Sequence, residues 1–583
     1  MSGQEAFLAE ALTTHGIALC RLGRHREAKR VLVRAHQVAE RSGDIERAGL
    51  ALLIVIEEMC AELEDDERLE LAARLDQLLA NSQRSSTRKR LGKCLELISA
   101  AHACYETERG QRPFRGEAMT HDEAIDSVAI LPFANASNDP NMEYLSDGIT
   151  ESIMNSLSHL SQLKVMAHST VFRYKGRAID PQEVGRTLGV RAVMMGRVQQ
   201  LGEDLVISAE LVDAEDGSLI WGDQYHRKAA DIFSMQEELA SEISEKLRLR
   251  LSGEQKERLT KRFTENREAY ELYLRGRYSW SKRTNEELRK GAEYFQQAIA
   301  KDPNYSLAHA GLADCLLLLG LFGAEPPRLV MPQAKVSALK AIQLNETLGE
   351  AYASLAQIRF YYDWDWTGAE RDYEQAVRLS PTYPTAHQWH GEYLVAIGRT
   401  DEGLAEVKRA RDLDPLSLII NTDLGLLFYW ARQYDLAINQ LERAIELEPN
   451  FFRAHLHLGM AYECKRMYRE AIAELEKARC INENPWTLAG LGHAYASFGE
   501  RAEAEKLLEQ LLELSRGRYV WSAAIAVVYS GFGDQVDQTL EWLERAYAER
   551  SGLLVWLNVW PIFDGIRSDI RFIDLLRRIG FAT

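Results

Sequence analysis

Asp147, His168 and Ser169 supply an acid, a base and a nucleophile, the residue types of a hydrolytic triad. Such a triad works only when the base reaches the nucleophile and the acid orients the base, so geometry alone can establish it. The local pattern assigns Asp147 a structural role. It is expected to start a helix and accept backbone N–H bonds. Thr150 and Glu151 then fall in the first turn, whose positive end suits a carboxylate. His387 and His390 flank Trp389, an i,i+3 spacing that can hold a metal ion on a helix. No cysteine or acid stands at a clear ligand interval from them, so packing and groove lining are the expected roles. His455 and His457 are two apart and cannot share a helical face. The sequence contains no Gly-x-x-x-x-Gly-Lys-Ser/Thr phosphate loop, His-Glu-x-x-His pair or Gly-x-Ser-x-Gly elbow. No catalytic residue, cofactor or metal site is therefore expected.

Composition narrows the classes further. The 583 residues are 46% hydrophobic and 27% charged, as in an ordinary soluble protein, and are too many for one core. A net charge of −17 with no long Lys/Arg block argues against a nucleic-acid partner, because phosphate contacts need basic side chains. The start of the chain lacks a secretory pattern, and no apolar run reaches the roughly 18 residues of a spanning helix. A cytoplasmic location is expected. The seven cysteines include no Cys-x-x-Cys pair and read as reduced thiols.

The elements that position these residues repeat. Gly391, Gly425 and Gly459 recur every 34 residues, as do Gly403, Ala437 and Ala471, and Ala410, Ala444 and Ala478. Pro381, Pro415 and Pro449 close successive units. Glycine inside a helix costs about 1 kcal/mol against alanine, so its return at one phase predicts a neighbouring helix too close for a larger side chain. Proline cannot continue a helix and marks each boundary. The pattern resembles the tetratricopeptide repeat (TPR), a helix–turn–helix of this period. About eight units are expected over 265–551, one with an insertion at GAEPPRLVMP, followed by a capping segment over 552–583. Gly16, Leu19, Ala28 and Ala35 fit the same template in a smaller helical domain over 1–108.

The resemblance implies that the first helix of each repeat faces a concave groove. Carried onto this chain, the groove positions are Gln357 and Phe360; Gln388 and Glu392; Thr422, Leu426 and Tyr429; and Arg453, Leu456, Met460 and Glu463. Glu350, Ala353, Thr385, Val395 and Ile419 share those faces. The Lys and Asn residues with which some TPR domains clamp a peptide carboxylate are absent at these phases. The mixed apolar and acidic lining implies an amphipathic helix or a basic peptide as partner.

Between a polar linker at 109–126 and the array, the pattern changes. Ser127–Phe133 reads as a buried strand, Met142–Leu160 as a helix, Lys164–Tyr174 as β-like and Pro181–Leu188 as a helix. Strands at Arg191–Gln199, Asp204–Asp213 and Ser218–Tyr225, joined by short Gly turns, predict an antiparallel meander. Met235, Leu239, Ile243, Leu247 and Leu251 mark a closing amphipathic helix. The order is βαβαβββα over 127–252. VAILPF, EYLSDGITESI, VFRYKG, GVRAVMMGRV and AELVDAEDGSLIWGDQYHR together resemble the TolB N-terminal-like domain, related to the FlgO family. In bacteria such domains often precede TPRs and follow an effector, which a helical segment replaces here. The expected fold is mainly α: a TPR superhelix preceded by a small α+β domain and an N-terminal TPR-like segment. The expected function is a non-catalytic scaffold or sensory adaptor in bacterial signalling, binding proteins or peptides. An enzyme or small-molecule sensor sited in the α+β domain, and a transcription regulator, are the alternatives.

Overall fold

A computed structural model describes residues 125–228, apart from scattered positions, and 263–581, together with 31, 35, 242, 243 and 245–247. The chain divides into two compact units, Met1–His121 and Asp122–Thr583. Apart from 31 and 35, the helical domain expected over 1–108 lies outside the described residues, as do nearly all of the linker and Met235, Leu239 and Leu251.

The second unit opens with a mixed sheet. Strands β1 (Ser127–Ile130), β2 (Ala134–Asn135), β3 (Lys164–Val165), β4 (Ala192–Leu201), β5 (Asp204–Asp213) and β6 (Leu219–Lys228) are ordered β3-β1-β4-β5-β6, with β2 also on β4. β1 runs parallel to β3 and β4, and β4, β5 and β6 form the antiparallel meander. In β5, Leu205, Ile207, Ala209 and Leu211 alternate onto the buried face. Helix α1 (Glu143–Ser158) packs on this sheet, and α2 (His168–Val171) and α3 (Pro181–Leu188) follow. Asp180 caps α3 by accepting from the Gln182 N–H, and Gly189 ends it at φ 63°.

Two expectations change here. The β-like stretch is a strand only at Lys164–Val165. Residues 168–174 wind into α2 and a 3-10 turn, because their side chains meet the repeat array rather than a neighbouring strand. Asp147 does not start α1, which begins a turn earlier at Glu143. Asp147 is buried, with the Lys175 ammonium 2.6 Å from its carboxylate, and burial pushes its pKa up to about 6. Thr150 and Glu151 therefore lie in the middle of α1. The Thr150 hydroxyl accepts from the Phe133 N–H, and Glu151 accepts from Arg277.

Eight helix pairs follow: α4 (Arg267–Ser281) with α5 (Asn285–Lys301), α6 (Ser306–Leu321) with α7 (Pro327–Leu344), α8 (Gly349–Ile358) with α9 (Trp366–Leu379), and α10 (Pro384–Ala396) with α11 (Thr400–Leu413). Next come α12 (Leu418–Trp430) with α13 (Tyr434–Leu447), α14 (Phe452–Cys464) with α15 (Tyr468–Ile481), α16 (Pro485–Phe498) with α17 (Arg501–Gly517), and α18 (Ser522–Gly531) with α19 (Val536–Ala548). Most of the expected insertion GAEPPRLVMP is helical, since α7 starts at Pro327 and carries Pro332 within it. A Cβ at Gly425 would lie 2.6 Å from Leu441 Cγ, and one at Gly459 2.5 Å from Leu475 Cγ. The two helices of a pair touch at these glycines, which is why the phase recurs.

A second 34-residue device joins successive units. His387 sits 2.9 Å from the Pro381 carbonyl and 2.6 Å from Glu406. Asn421 donates to the Pro415 carbonyl at 2.9 Å and accepts from Gln440 at 3.0 Å. His455 repeats the first arrangement with Pro449 and Glu474, at 2.9 and 2.6 Å. Each first helix is thereby pinned to the end of the preceding unit and to its own second helix.

Beyond α19, 3-10 turns at Gly552–Trp556 and Pro561–Ile566 lead to α20 (Ile570–Arg578). Phe572, Leu575, Leu576 and Ile579 are buried, as their helical spacing predicts. The 3-10 turns run back against the first helices. Trp556 stacks on Trp430 with ring centroids 3.7 Å apart, Asp564 pairs with Arg432, and the Ile579 carbonyl accepts from the Trp366 indole at 2.8 Å.

Candidate functional site

The first helices of the pairs line a partly open chamber of about 1200 Å³. Two pieces of the chain cover it. The sheet domain is fastened through α2 and α1. Ser169 and Thr170 donate to Asp414, the latter at 2.6 Å, and the Thr170 hydroxyl accepts from the Leu416 N–H. Arg173 donates to the Leu447 carbonyl at 2.7 Å, and Arg277 of α4 reaches Glu151 of α1 with its Nε at 2.8 Å. Trp556 and Trp560 of the C-terminal turns line another part of the wall. The array also returns on itself, since a Cβ at Gly323 would lie 2.4 Å from the Trp521 ring.

Gln357, Gln388, Glu392, Leu426, Arg453, Leu456 and Met460 line this chamber, with Glu350, Thr385 and Ile419. Phe360, Thr422, Tyr429 and Glu463 do not. Phe360 is fully buried among the rings of Tyr361, Trp366, Tyr393 and Trp556. It stands in a π-helical turn, Arg359–Asp363, whose extra residue rotates it off the expected face and turns Tyr361 to the chamber instead. Thr422 and Tyr429 are also fully buried, and Glu463 accepts from His493 at 2.7 Å. Ala353 and Val395 are core residues. Template phases missed Asp423, Trp430 and His457 on the inner helices, and Trp556 and Trp560, which arrive from outside the repeats. A usable signal was the 34-residue series Trp389, Asp423, His457, one position on from the series Gln388, Thr422, Leu456.

A buried polar chain crosses the inner wall. The Tyr373 phenol donates to Gln357, and Gln357 Nε2 lies 3.4 Å from Glu392 Oε2. Tyr361 and Gln388 also donate to Glu392, at 3.3 and 3.1 Å. Gln388 donates to Asp423 as well, at 2.7 Å, and Arg453 does so at 2.9 Å. Glu392 thus holds two amides and a phenol but no cation. Burial, and then the Asp423 charge, push its pKa up to about 8. Burial likewise raises Asp423, and Asp314 to about 6. His457 is driven down to about 3 by burial and then Arg453. The guanidinium groups of Arg277 and Arg283 lie over the Trp280 ring, 4.2 and 3.7 Å from its centroid.

The residues of the hypothetical triad go to other partners. Ser169 donates to Asp414, Asp147 pairs with Lys175, and His168 stacks on Phe172 at 3.7 Å, its pKa lowered by burial to about 4. Both ring nitrogens of His387 and of His455 face protein oxygens, and His390 stacks on Tyr373. Among the described residues no group of three His, Cys, Asp or Glu is placed to hold a metal ion. Nor is any described helix long and apolar enough to cross a membrane.

Comparison with known families fits this anatomy. Residues 279–326, 425–464 and 465–526 match three tetratricopeptide-repeat profiles. The array is built of TPRs. Residues 124–242, which overlap the 127–252 stretch expected to be a TolB N-terminal-like domain, match instead the second domain of the HilA/YgeH-like transcriptional regulators. A putative adenylate cyclase 3 from Rhizobium meliloti is 34% identical over 40% of this chain and 39% of its own length. The transcriptional regulator HilA of Salmonella typhimurium is 24% identical over 29% of this chain and 30% of its own. The chain thus spans well under half the length of either relative. Human IFIT1 covers 59% of the chain and 78% of its own length at 16% identity, with a TM-score of 0.38.

Proposed function

We propose that the chain is a non-catalytic regulatory scaffold of bacterial signalling, whose TPR superhelix takes a protein or peptide segment on its inner wall. The supporting observation is the chamber: polar and aromatic side chains from successive first helices converge on one partly open space, as in a recognition site. The sheet domain acts as an input module, because its α2 turn is bonded to the array at Asp414, Leu416 and Leu447. The buried carboxylates of the wall bond to fixed amides and hydroxyls, an arrangement suited to binding.

The match to a transcription-regulator domain supports a second reading, in which the scaffold works within a transcription complex. With a net charge of −17, this chain would act there through proteins rather than by gripping DNA itself. Crosslinking in the native cell, followed by mass-spectrometric mapping, separates the readings. A stoichiometric partner joined to the first helices supports the scaffold. Binding of the purified chain to duplex DNA at ~150 mM salt would favour a direct DNA role. Neither result, at good recovery, would count against both.

A further inference from the structure

We propose that the outward face of α7 is a second docking surface, on which an acidic amphipathic helix of a partner protein packs as in a two-stranded coiled coil. It lies apart from the chamber, since no residue of α7 lines that wall.

Helix α7 is apolar on two sides. Val330, Met331, Ala334, Ala338 and Ala341 are buried against the array. Yet Leu329, Val336 and Leu339 are 60%, 68% and 43% exposed, and Pro332 is exposed between them. Among the described residues eight large apolar side chains stand exposed, and three of them are on this one helix. By contrast, α5 presents Glu293, Gln296 and Gln297 outward, and α19 presents Asp537, Glu541 and Glu544. A helix that is apolar all round is normally covered all round.

The spacing gives the shape of the cover. Leu329, Pro332, Val336, Leu339 and Gln343 fall at i, i+3, i+7, i+10 and i+14. These are the a and d positions of successive heptads, the stripe along which a second helix seats its own side chains. The stripe runs ~21 Å along the helix axis. Beside it, the buried Leu312 and Leu316 of α6 floor a cleft rimmed by Gln296, Pro332 and Val336, which widens the apolar track toward α5. A helix laid along α7 covers both.

Charge gives its chemistry. The e and g positions that flank the stripe are Arg328, Gln333, Lys335, Lys340 and Ile342. No acid occurs anywhere in α7, although the chain carries a net charge of −17. Lys335 is taken by Asp363. Lys340 donates to the Gln343 side chain at 3.1 Å, and Arg328 is exposed. Neither of these two cations has an acidic partner among the described residues. Flanking charges decide which helix such a stripe accepts. Two copies of α7 laid together would set basic groups against basic groups, so self-pairing is opposed. A helix with Glu or Asp at its own flanking positions is matched.

The test is fluorescence anisotropy on the full chain with two labelled 21-residue peptides. Both carry Leu at every a and d position; one carries Glu and the other Lys at every e and g position. We expect the Glu peptide to bind saturably and at least ~10-fold more tightly than the Lys peptide. The margin should shrink as salt rises. Leu329→Gln/Val336→Gln should weaken the Glu peptide at least ~10-fold. Both sites are exposed, so the melting temperature should hold. Arg328→Glu/Lys340→Glu should reverse the preference, which a merely misfolded variant cannot do. No saturable binding, equal binding of the two peptides, or full affinity in the glutamine variant overturns the proposal. Dimerisation in sedimentation that the glutamine variant abolishes overturns it in favour of a second copy. Binding to phosphatidylglycerol vesicles that the same variant abolishes overturns it in favour of a membrane surface.

Discussion

His455 shows how one side chain can couple an element boundary to pH. The Pro449 carbonyl and the Glu474 carboxylate both accept, so each ring nitrogen donates and the ring is held as imidazolium. The Glu474 hydrogen bond accordingly raises the pKa of His455 above its ordinary value. A histidine whose pKa is raised by folding adds stability in full below its unfolded value, and loses it as pH rises through the folded one. The melting temperature should therefore carry a falling component above about pH 6.5. One unit earlier, Asn421 and Gln440 occupy the same positions with uncharged groups. The double substitution His455→Asn/Glu474→Gln copies that pair. It should fold and remove the component, as melts from pH 5 to 9 would show. An unchanged pH profile would mean that His455 is not charged in the folded state. Histidine spacing raised a metal reading only at His387 and His390, and for His455 it gave only that it shares no helical face with His457. It missed the clasp because Pro449 and Glu474 lie six residues before and nineteen after, and only helix pairing brings them together.

At the scale of elements, the glycine phase is the most legible feature. Gly425 and Gly459 face Leu441 and Leu475 at distances no real Cβ tolerates. Gly459→Leu and Gly425→Leu should each cost about 1–3 kcal/mol by overpacking, measured by urea unfolding with the slope checked for constancy. An unshifted midpoint in both would show that the helices separate freely there. The meander was equally legible, since period-two alternation and Gly turns are local signals. The 3-10 and π turns were not. Residues 168–174 carry strand-like side chains, but their partners Asp414 and Leu447 are more than two hundred residues away. The wide turn at Arg359–Asp363 displaced Phe360 from the wall although its spacing from Gln357 is regular.

For the whole molecule, the seam between sheet domain and array sets how the chamber is covered. Asp414 is buried and accepts from Ser169 and Thr170, so Asp414→Ala leaves two hydroxyls without their acceptor. Hydrogen bonds to a charged group contribute about 1.5–3 kcal/mol. Amide exchange of residues 166–175 should accelerate by about ten- to a hundredfold at that cost, while α14 to α17 keep their protection. Acceleration spread evenly over the array would mean that the seam is part of global stability rather than a joint.

Taken alone, the sequence determined what depends on near neighbours: the 34-residue period, the helix pairs, the inward faces of the strands, and some of the residues lining the inner wall. These follow from proline and glycine chemistry and from helical and strand periodicity, which act over a few residues. Only the tertiary structure decided that the superhelix returns on itself from Gly323 to Trp521, that Trp556 fills its inside against Trp430, and that α2 closes it at Asp414. The small rotation of each repeat adds up over eight pairs, and no local signal carries that sum. The same burial takes water from Glu392 and Asp423 and raises the pKa of both, a shift that their residue types by themselves do not reveal.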